Sequence, residues 1–339
     1  MRYQDLRLSI LDQWAQPKGN LVAYFIDGKP GGGKSARCRD IVAAMGGTDE
    51  NTVEFNASTR DPVDMLGTPN NDGEVTRWVP PEEFWKLRAG QGRVFLILEE
   101  MSDAPMPMQN AMCRAVHDHF SGNLKLSDGL FIIGSGNRTQ DKSGANRLST
   151  KLGNRMRHHH FEENLEDWVQ WAQERDPWID PVLIQFLRYI PAALSDFDPS
   201  RPDGINATPR SWESVSRINP NLRSDLFFAE CTGSVGEARA SQYVSFRKVY
   251  AELVSLEDVL MNPKGVPIPT DLSALYATVG SIGHGTTLGN VERLAEFVDR
   301  LPADFNTMYW MDARKKEPKI KGTKPFIAWA TANANVICN

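Results

Sequence analysis

The eight residues Gly28-Lys29-Pro30-Gly31-Gly32-Gly33-Lys34-Ser35 fit the phosphate-binding pattern G-x-x-x-x-G-K-[ST] at every fixed position. Glycines let the backbone curl until successive N–H groups point at one anion, and a helix starting just behind adds partial positive charge from its dipole. The stretch from Gly28 through Pro30, Gly31, Gly32 and Gly33 is therefore expected to cradle a nucleotide's phosphates. Lys34 would reach the β- and γ-phosphates, and the Ser35 hydroxyl would hold Mg2+. A second pair of groups complements the first. Glu99 and Glu100 follow the apolar run Val94 to Leu98, and carboxylates at the C-terminal edge of a parallel strand lie where open α/β sheets bind ligands. Glu99 is expected to hold Mg2+ through water, and Glu100 to polarise a water for attack on the γ-phosphate. Asn137, just past Phe131-Ile132-Ile133 and Gly134-Ser135-Gly136, offers an amide to orient that water.

These groups need elements to position them. Leu21 to Ile26 is a short apolar run that reads as a buried strand ahead of the glycines, and Ala36 to Met45 reads as the helix behind them. Further strands are expected at Thr52–Asn56, Val94–Leu98, Gly129–Gly134 and Arg157–Phe161, with helical segments between. An amphipathic helix is expected over residues 5–15, where Leu6, Ile10 and Trp14 share a face. Strands interleaved with helices imply a parallel sheet covered on both faces. From Leu165 on, strand signals thin out and helical periodicity takes over, as in Trp168–Ala172, Val182–Leu187 and Val291–Leu301. The fold class expected is α/β, a P-loop NTPase parallel sheet with helices on both faces followed by helical regions. The expected division is 1–164, 165–300 and 301–339, with a loop at Asp196–Gly204.

The composition narrows the setting. The chain has 339 residues, enough for more than one packed unit. Its 38 basic and 43 acidic residues give a net charge of −5, so no overall basic field draws it to nucleic acid, although a local basic pore would not show in that total. No apolar run approaches the ~20 residues that span a bilayer, and Met1 to Leu6 has no signal-peptide core. Cys38, Cys113, Cys231 and Cys338 form neither a CxxC pair nor a disulfide framework. The expectation is a soluble, cytoplasmic protein without membrane association. His158-His159-His160 is expected to be structural or solvated. Consecutive strand residues face opposite ways, and no nearby cysteine or further histidine completes a zinc ligand set.

The order of these parts resembles the AAA+ ATPases, most closely their MoxR-type branch, over about residues 15–217. Glu99-Glu100 stand where the family has its Walker B pair, usually Asp-Glu, and Asn137 matches the sensor-1 position. Leu148 to Met156 is similar to the segment that ends in the family's arginine finger, which makes Arg155 the candidate, with Arg147 and Arg157 as rivals. Thr208-Pro209-Arg210-Ser211-Trp212 resembles the sensor-2 helix start in the α-helical lid, with Arg210 as candidate. Asp61 to Gly67 resembles the family's segment after the second strand. His119 to Gly129, with hairpin turn signals at Gly122-Asn123 and Asp128-Gly129, looks like a hairpin insert of the branch, and the loop-rich Thr68 to Pro81 lies where the branch has another. Whether these face a ring's centre or form ordinary surface loops stays open.

The resemblance implies ATP and Mg2+ as cofactors and a homo-hexameric ring in which Arg155 completes a neighbour's site. It also implies chaperone-like remodelling of a separate protein client or of a von Willebrand factor A-type partner chain. Glu99 in place of Asp adds a methylene, and Mg2+ demands near-ideal octahedral geometry, so slower hydrolysis is one expectation. A nucleic-acid motor or restriction-type NTPase, and a nucleotide-gated scaffold with slow hydrolysis, are the alternatives. ATP versus GTP preference and the role of the C-terminal ~100 residues stay open.

Overall fold

In the computed structural model, residues 1–15, 22–71, 73–141, 148–174, 179–201, 204–251 and 256–334 are described. They divide into two compact units, Met1–Asp167 with Phe197–Gly204, and Trp168–Asp196 with Ile205–Asn339.

The first unit is an α/β layer structure. The strands among its described residues are β1 (Ala23–Gly28), β2 (Thr52–Asn56), β3 (Thr68–Asn71), β4 (Thr76–Val79), β5 (Arg93–Glu99), β6 (Phe120–Ser121), β7 (Leu124–Lys125), β8 (Gly129–Asn137) and β9 (Met156–His160). Five of them form one sheet in the order β2-β5-β8-β1-β9, every pair parallel. The expected first strand therefore starts at Ala23; Leu21 lies outside the described residues. Parallel strands need crossovers: α1 (Tyr3–Trp14) precedes the sheet, and α2 (Lys34–Ala44), α3 (Pro62–Leu66), α4 (Met106–Asp118) and α5 (Thr150–Gly153) lie between its strands.

Alternation along β1 divides the core between the two faces. Tyr24 and Ile26 join Phe95, Ile97, Phe131 and Ile133 under α1 and α2. Ala23 and Phe25 join Leu96, Leu98, Leu130 and Ile132 under α4 and α5. Both faces are covered, which is why these strands read as continuous apolar runs rather than alternating ones. Because β1 and β5 flank β8, their C-terminal ends bring Gly28, Asn137 and Glu99 to one edge of the sheet.

Two small hairpins stand off the sheet. The Thr68–Pro81 stretch, expected as loop, pairs β3 with β4 in antiparallel register from Thr68↔Val79 to Asn71↔Thr76. All eight residues of these strands are exposed, Trp78 among them, so no buried face marked the strands in sequence. The β6–β7 hairpin turns at Gly122, whose φ of 55° suits glycine. A Cβ there would meet the Leu66 carbonyl oxygen at 1.9 Å. The Ser121 hydroxyl donates to the Met65 carbonyl, and Ala89 N–H bonds Lys125 O at 2.9 Å, so this hairpin is stitched down on both sides.

The second unit is helical, and its described residues contain no strand. It takes most of α6 (Leu165–Glu174), then α7 (Pro181–Tyr189), α8 (Pro209–Ser216), α9 (Ser224–Val235) and α10 (Glu237–Ala251). After these come α11 (Leu256–Met261), α12 (Leu272–His284), α13 (Val291–Val298), α14 (Ala303–Lys316) and α15 (Lys324–Ala332). Phe186 on α7 packs against Trp212, Tyr243 and Phe246, and the Trp212 indole N–H reaches Ala193 O at 2.7 Å. Val279, Leu294, Tyr309, Trp310 and Trp329 share a further core, so helices from α12 to α15 form one body.

Candidate functional site

The glycine-rich turn leaves β1 at Gly28 and enters α2 at Lys34. Gly31 and Gly33 have φ of 74° and 90°, a left-handed backbone that glycine adopts without strain. The direction a Gly33 Cβ would take is open, with no atom within 4 Å. Pro30 is half-buried within the turn, and Ser35 is half-buried as the second residue of α2. Backbone N–H groups of a helix start beside a buried ammonium form an anion site in chemical character, and the residues fit a nucleotide's phosphates.

Lys34 is only 8% exposed. Its Nζ donates to the carbonyl oxygens of Gly28 at 3.0 Å and Lys29 at 2.7 Å, and to Asn137 Oδ1 at 3.0 Å. Asn137 thus meets the P-loop lysine directly, from the end of the neighbouring strand. The other end of its amide is also occupied. Asn137 Nδ2 donates to Asp103 Oδ2 at 3.0 Å, and the Asn137 backbone N–H donates to Ser102 Oγ at 2.8 Å. Ser102 Oγ in turn donates to Asp103 Oδ1 at 3.1 Å. Burial raises the pKa of the Asp103 carboxyl, while its hydrogen bonds from Ser102 and Asn137 pull the other way.

The two glutamates diverge at the end of β5. Glu99 Oε1 accepts from Arg39 at 2.7 Å, and the same guanidinium reaches Glu54 Oε2 at 2.8 Å. Glu100 turns out of the strand with φ 54°, an uncommon backbone for a non-glycine residue. The turn is braced on both sides, by Met101 N–H to Ser135 O and by Ala57 N–H to Glu99 O, each 2.9 Å. Glu100 Oε2 accepts the hydroxyl of Ser58, whose Oγ and N–H also lie on Asn56 Oδ1. Among the described residues no group of three or more His, Cys, Asp or Glu is arranged to hold a metal ion by itself. Mg2+ here would therefore need ligands from a bound nucleotide beside Ser35 and Glu99.

An Arg155 guanidinium N–H returns to the Lys151 carbonyl on α5, the helix just before it. Arg157 points to the opposite sheet face, where it reaches Tyr24 OH at 3.3 Å. Arg147 lies outside the described residues. Arg210 is exposed in the first turn of α8, whose N-terminus is closed by a capping box between Thr208 and Ser211. The histidines alternate as strand geometry requires. His160 Nδ1 lies 2.5 Å from Asp27 Oδ1 and His158 Nε2 3.0 Å from Gly153 O, while His159 stacks on Tyr24 across the sheet.

A cavity of about 730 Å3 opens at the ends of β1, β8 and β9, lined in part by Asp27, Ser102, Asn137, Arg138, His158 and His160. Arg138 is held there by Asp141, with two contacts of 2.8 and 2.6 Å. Sequence reasoning missed Asp103, Ser58 and Arg39. The only available signal for Asp103 was a carboxylate within one turn of the strand end; Ser58 and Arg39 carried none.

No protein-family model matches the chain, and no curated protein matches it. Several solved structures are similar. NtrX from Brucella abortus in complex with ATP shares 16% identity over 91% of this chain and 68% of that one, with a TM-score of 0.40. The RuvB Holliday junction branch migration motor of Thermotoga maritima shares 14% over 86% of this chain and 83% of that one, with a TM-score of 0.39. At such values neither likeness carries an argument about activity, and the P-loop fold rests on the chain's own strand order, turn and helices.

Proposed function

We propose that this chain is an AAA+ ATPase of MoxR type that hydrolyses ATP with Mg2+. The observation that carries the reading is the direct bond between Lys34 and Asn137, with Glu100 at the end of the adjoining strand. Those are three groups that phosphoryl transfer to water requires: a cation for the phosphate, an amide to orient water, and a carboxylate to accept a proton. The phosphates would replace the Gly28, Lys29 and Asn137 oxygens around the Lys34 ammonium, and the glycine turn would enclose them. Glu100 would take the proton of the attacking water once it leaves Ser58, and Asn137 would hold that water in line. Ser35 and Glu99 would hold Mg2+, which when bound supplies positive charge to the phosphate oxygens.

On this reading residues 1–164 form the nucleotide-binding domain, 165–300 the lid and 301–339 a C-terminal tail. Arg210 would report on nucleotide from the lid. Arg155 would act across a subunit boundary in a hexameric ring that remodels a separate protein client. A second reading has one observation in its favour. The Arg39 contact occupies Glu99, which fits a scaffold gated by nucleotide binding with slow hydrolysis.

The experiment is steady-state ATPase activity of the native chain and of Glu100→Gln, with oligomer mass read with and without ATP. Turnover lost in the variant, with an ATP-dependent ring, supports the motor. Binding and assembly without turnover in the native chain support the scaffold, and no nucleotide binding at all overturns both.

A further inference from the structure

We infer that Asp103 is a positioning residue that fixes the polarity of the Asn137 amide, so that Asn137 turns its oxygen, not its nitrogen, toward Lys34 and the phosphate site. The inference deepens the hydrolysis reading and, for its catalytic consequence, rests on it.

A carboxamide has two orientations of nearly equal shape, one with oxygen and one with NH2 at a given place. Its neighbours decide between them. Lys34 Nζ can only donate, so at 3.0 Å it requires Oδ1. An ionised Asp103 can only accept, so at 3.0 Å on the opposite side it requires Nδ2. As long as both charges are in place the orientation is doubly determined. Nucleotide binding removes one of the two, because the Lys34 ammonium must turn to phosphate. Asp103 then holds the amide alone. It is itself held by Ser102 Oγ at 3.1 Å, the atom that also accepts the Asn137 backbone N–H. Side chain and main chain of Asn137 are thus tied to consecutive residues of one turn.

The consequence is chemical. With its nitrogen committed to Asp103, Asn137 offers the phosphate site an acceptor. An acceptor suits an O–H donor, the attacking water, and repels a phosphate oxygen. Asn137 in this chain therefore orients the nucleophile rather than grips the γ-phosphate. The charged groups that act on the Asp103 carboxyl include Glu100, which raises its pKa, and Lys34, which lowers it.

The test has a readout that needs no turnover. In the nucleotide-free full chain with 15N-labelled asparagine, the Asn137 NH2 signal is identified by its absence in Asn137→Ser. It is expected to move as pH is lowered through the carboxylate range, and to stand still in Asp103→Asn. A signal that does not follow pH in the native chain, or follows it equally in Asp103→Asn, overturns the inference whether or not the protein hydrolyses ATP.

The catalytic half is read separately. Asp103→Asn is expected to lower kcat about tenfold and leave the KM for ATP within about twofold, because one charge-assisted bond is lost away from the binding groups. The double variant Asp103→Asn/Asn137→Ser is expected to lose no more than Asn137→Ser alone, since one residue acts through the other. Additive losses, or a raised KM with kcat unchanged, overturn it. A native chain without ATPase activity would count against the hydrolysis reading and leave the NMR result to decide Asp103.

Discussion

The Arg39 guanidinium lies 2.7 Å from Glu99 Oε1, so the first carboxylate at the end of β5 is already neutralised by a residue one turn along α2 from Ser35. Any cation that uses Glu99 must compete with that contact. The Arg39 side chain is 47% exposed, and an ion pair so open to water is weak. Arg39→Met is therefore expected to lower the Mg2+ concentration for half-maximal nucleotide hydrolysis by about two- to fivefold. Mn2+ binding in the presence of a non-hydrolysable nucleotide, followed by EPR, should tighten in parallel. An unchanged Mn2+ affinity would show that Glu99 does not meet the metal.

Lys34 is the cation of the site, and the Gly28, Lys29 and Asn137 oxygens that it meets are acceptors that phosphate can replace. Lys34→Ala removes it, together with its bonds to the Gly28 and Lys29 carbonyls. Binding of a fluorescent ATP analogue is expected to weaken by about 100-fold, the loss of roughly two charge-assisted hydrogen bonds. Affinity within a few-fold of the native value would argue that the turn holds no nucleotide.

Ser58 occupies Glu100 Oε2 in the resting chain, on a carboxylate expected to accept a proton from water. Ser58→Ala frees it. Basal ATPase activity is expected to rise a few-fold, in line with about 1 kcal/mol for the lost bond. A fall in turnover would mean that Ser58 holds Glu100 in its working position.

Burial lowers the pKa of His159, helped by Arg157, so the folded chain favours the neutral ring. Above the ordinary histidine pKa the ring is neutral folded or unfolded and adds nothing. As pH falls through 6.5 the unfolded chain takes up the proton more readily, and stability is lost toward the lower folded value. The native melting temperature should therefore drop further between about pH 7.5 and 5.5 than that of His159→Gln. Equal drops would show that His159 is not responsible.

The parts legible in sequence were those written by neighbouring residues. The glycine turn needs only its own eight positions, and the apolar runs of β5 and β8 declare buried strands because both faces are covered. The β3–β4 hairpin was invisible for the opposite reason, since nothing on it is buried and Pro69, Asn70 and Asn71 read as loop. Side-chain partnerships were harder still. Arg39 and Glu99 stand 60 residues apart, and an arginine on an exposed helix face reads as solvated. Asp103 looks like an ordinary acidic helix start until the topology sets β8 beside β5. Only then does Asn137 arrive next to it, with Lys34, 103 residues earlier in the chain, on the other side.

The strand order has a consequence for how the chain is made. β1 is flanked by β8 and β9, with Tyr24 opposite Ile133 and Ala23 opposite Met156, so both of its partners come late in synthesis. At translation rates of about 5–20 residues per second, the apolar Ala23-Tyr24-Phe25-Ile26 run waits roughly 5–20 s with both edges unpaired. Unpaired apolar strand edges are templates for the wrong neighbour. The strand that carries the glycine turn is thus the one most exposed to misassembly on the ribosome, and yield in a cell should depend on what shields it until residue 133 emerges.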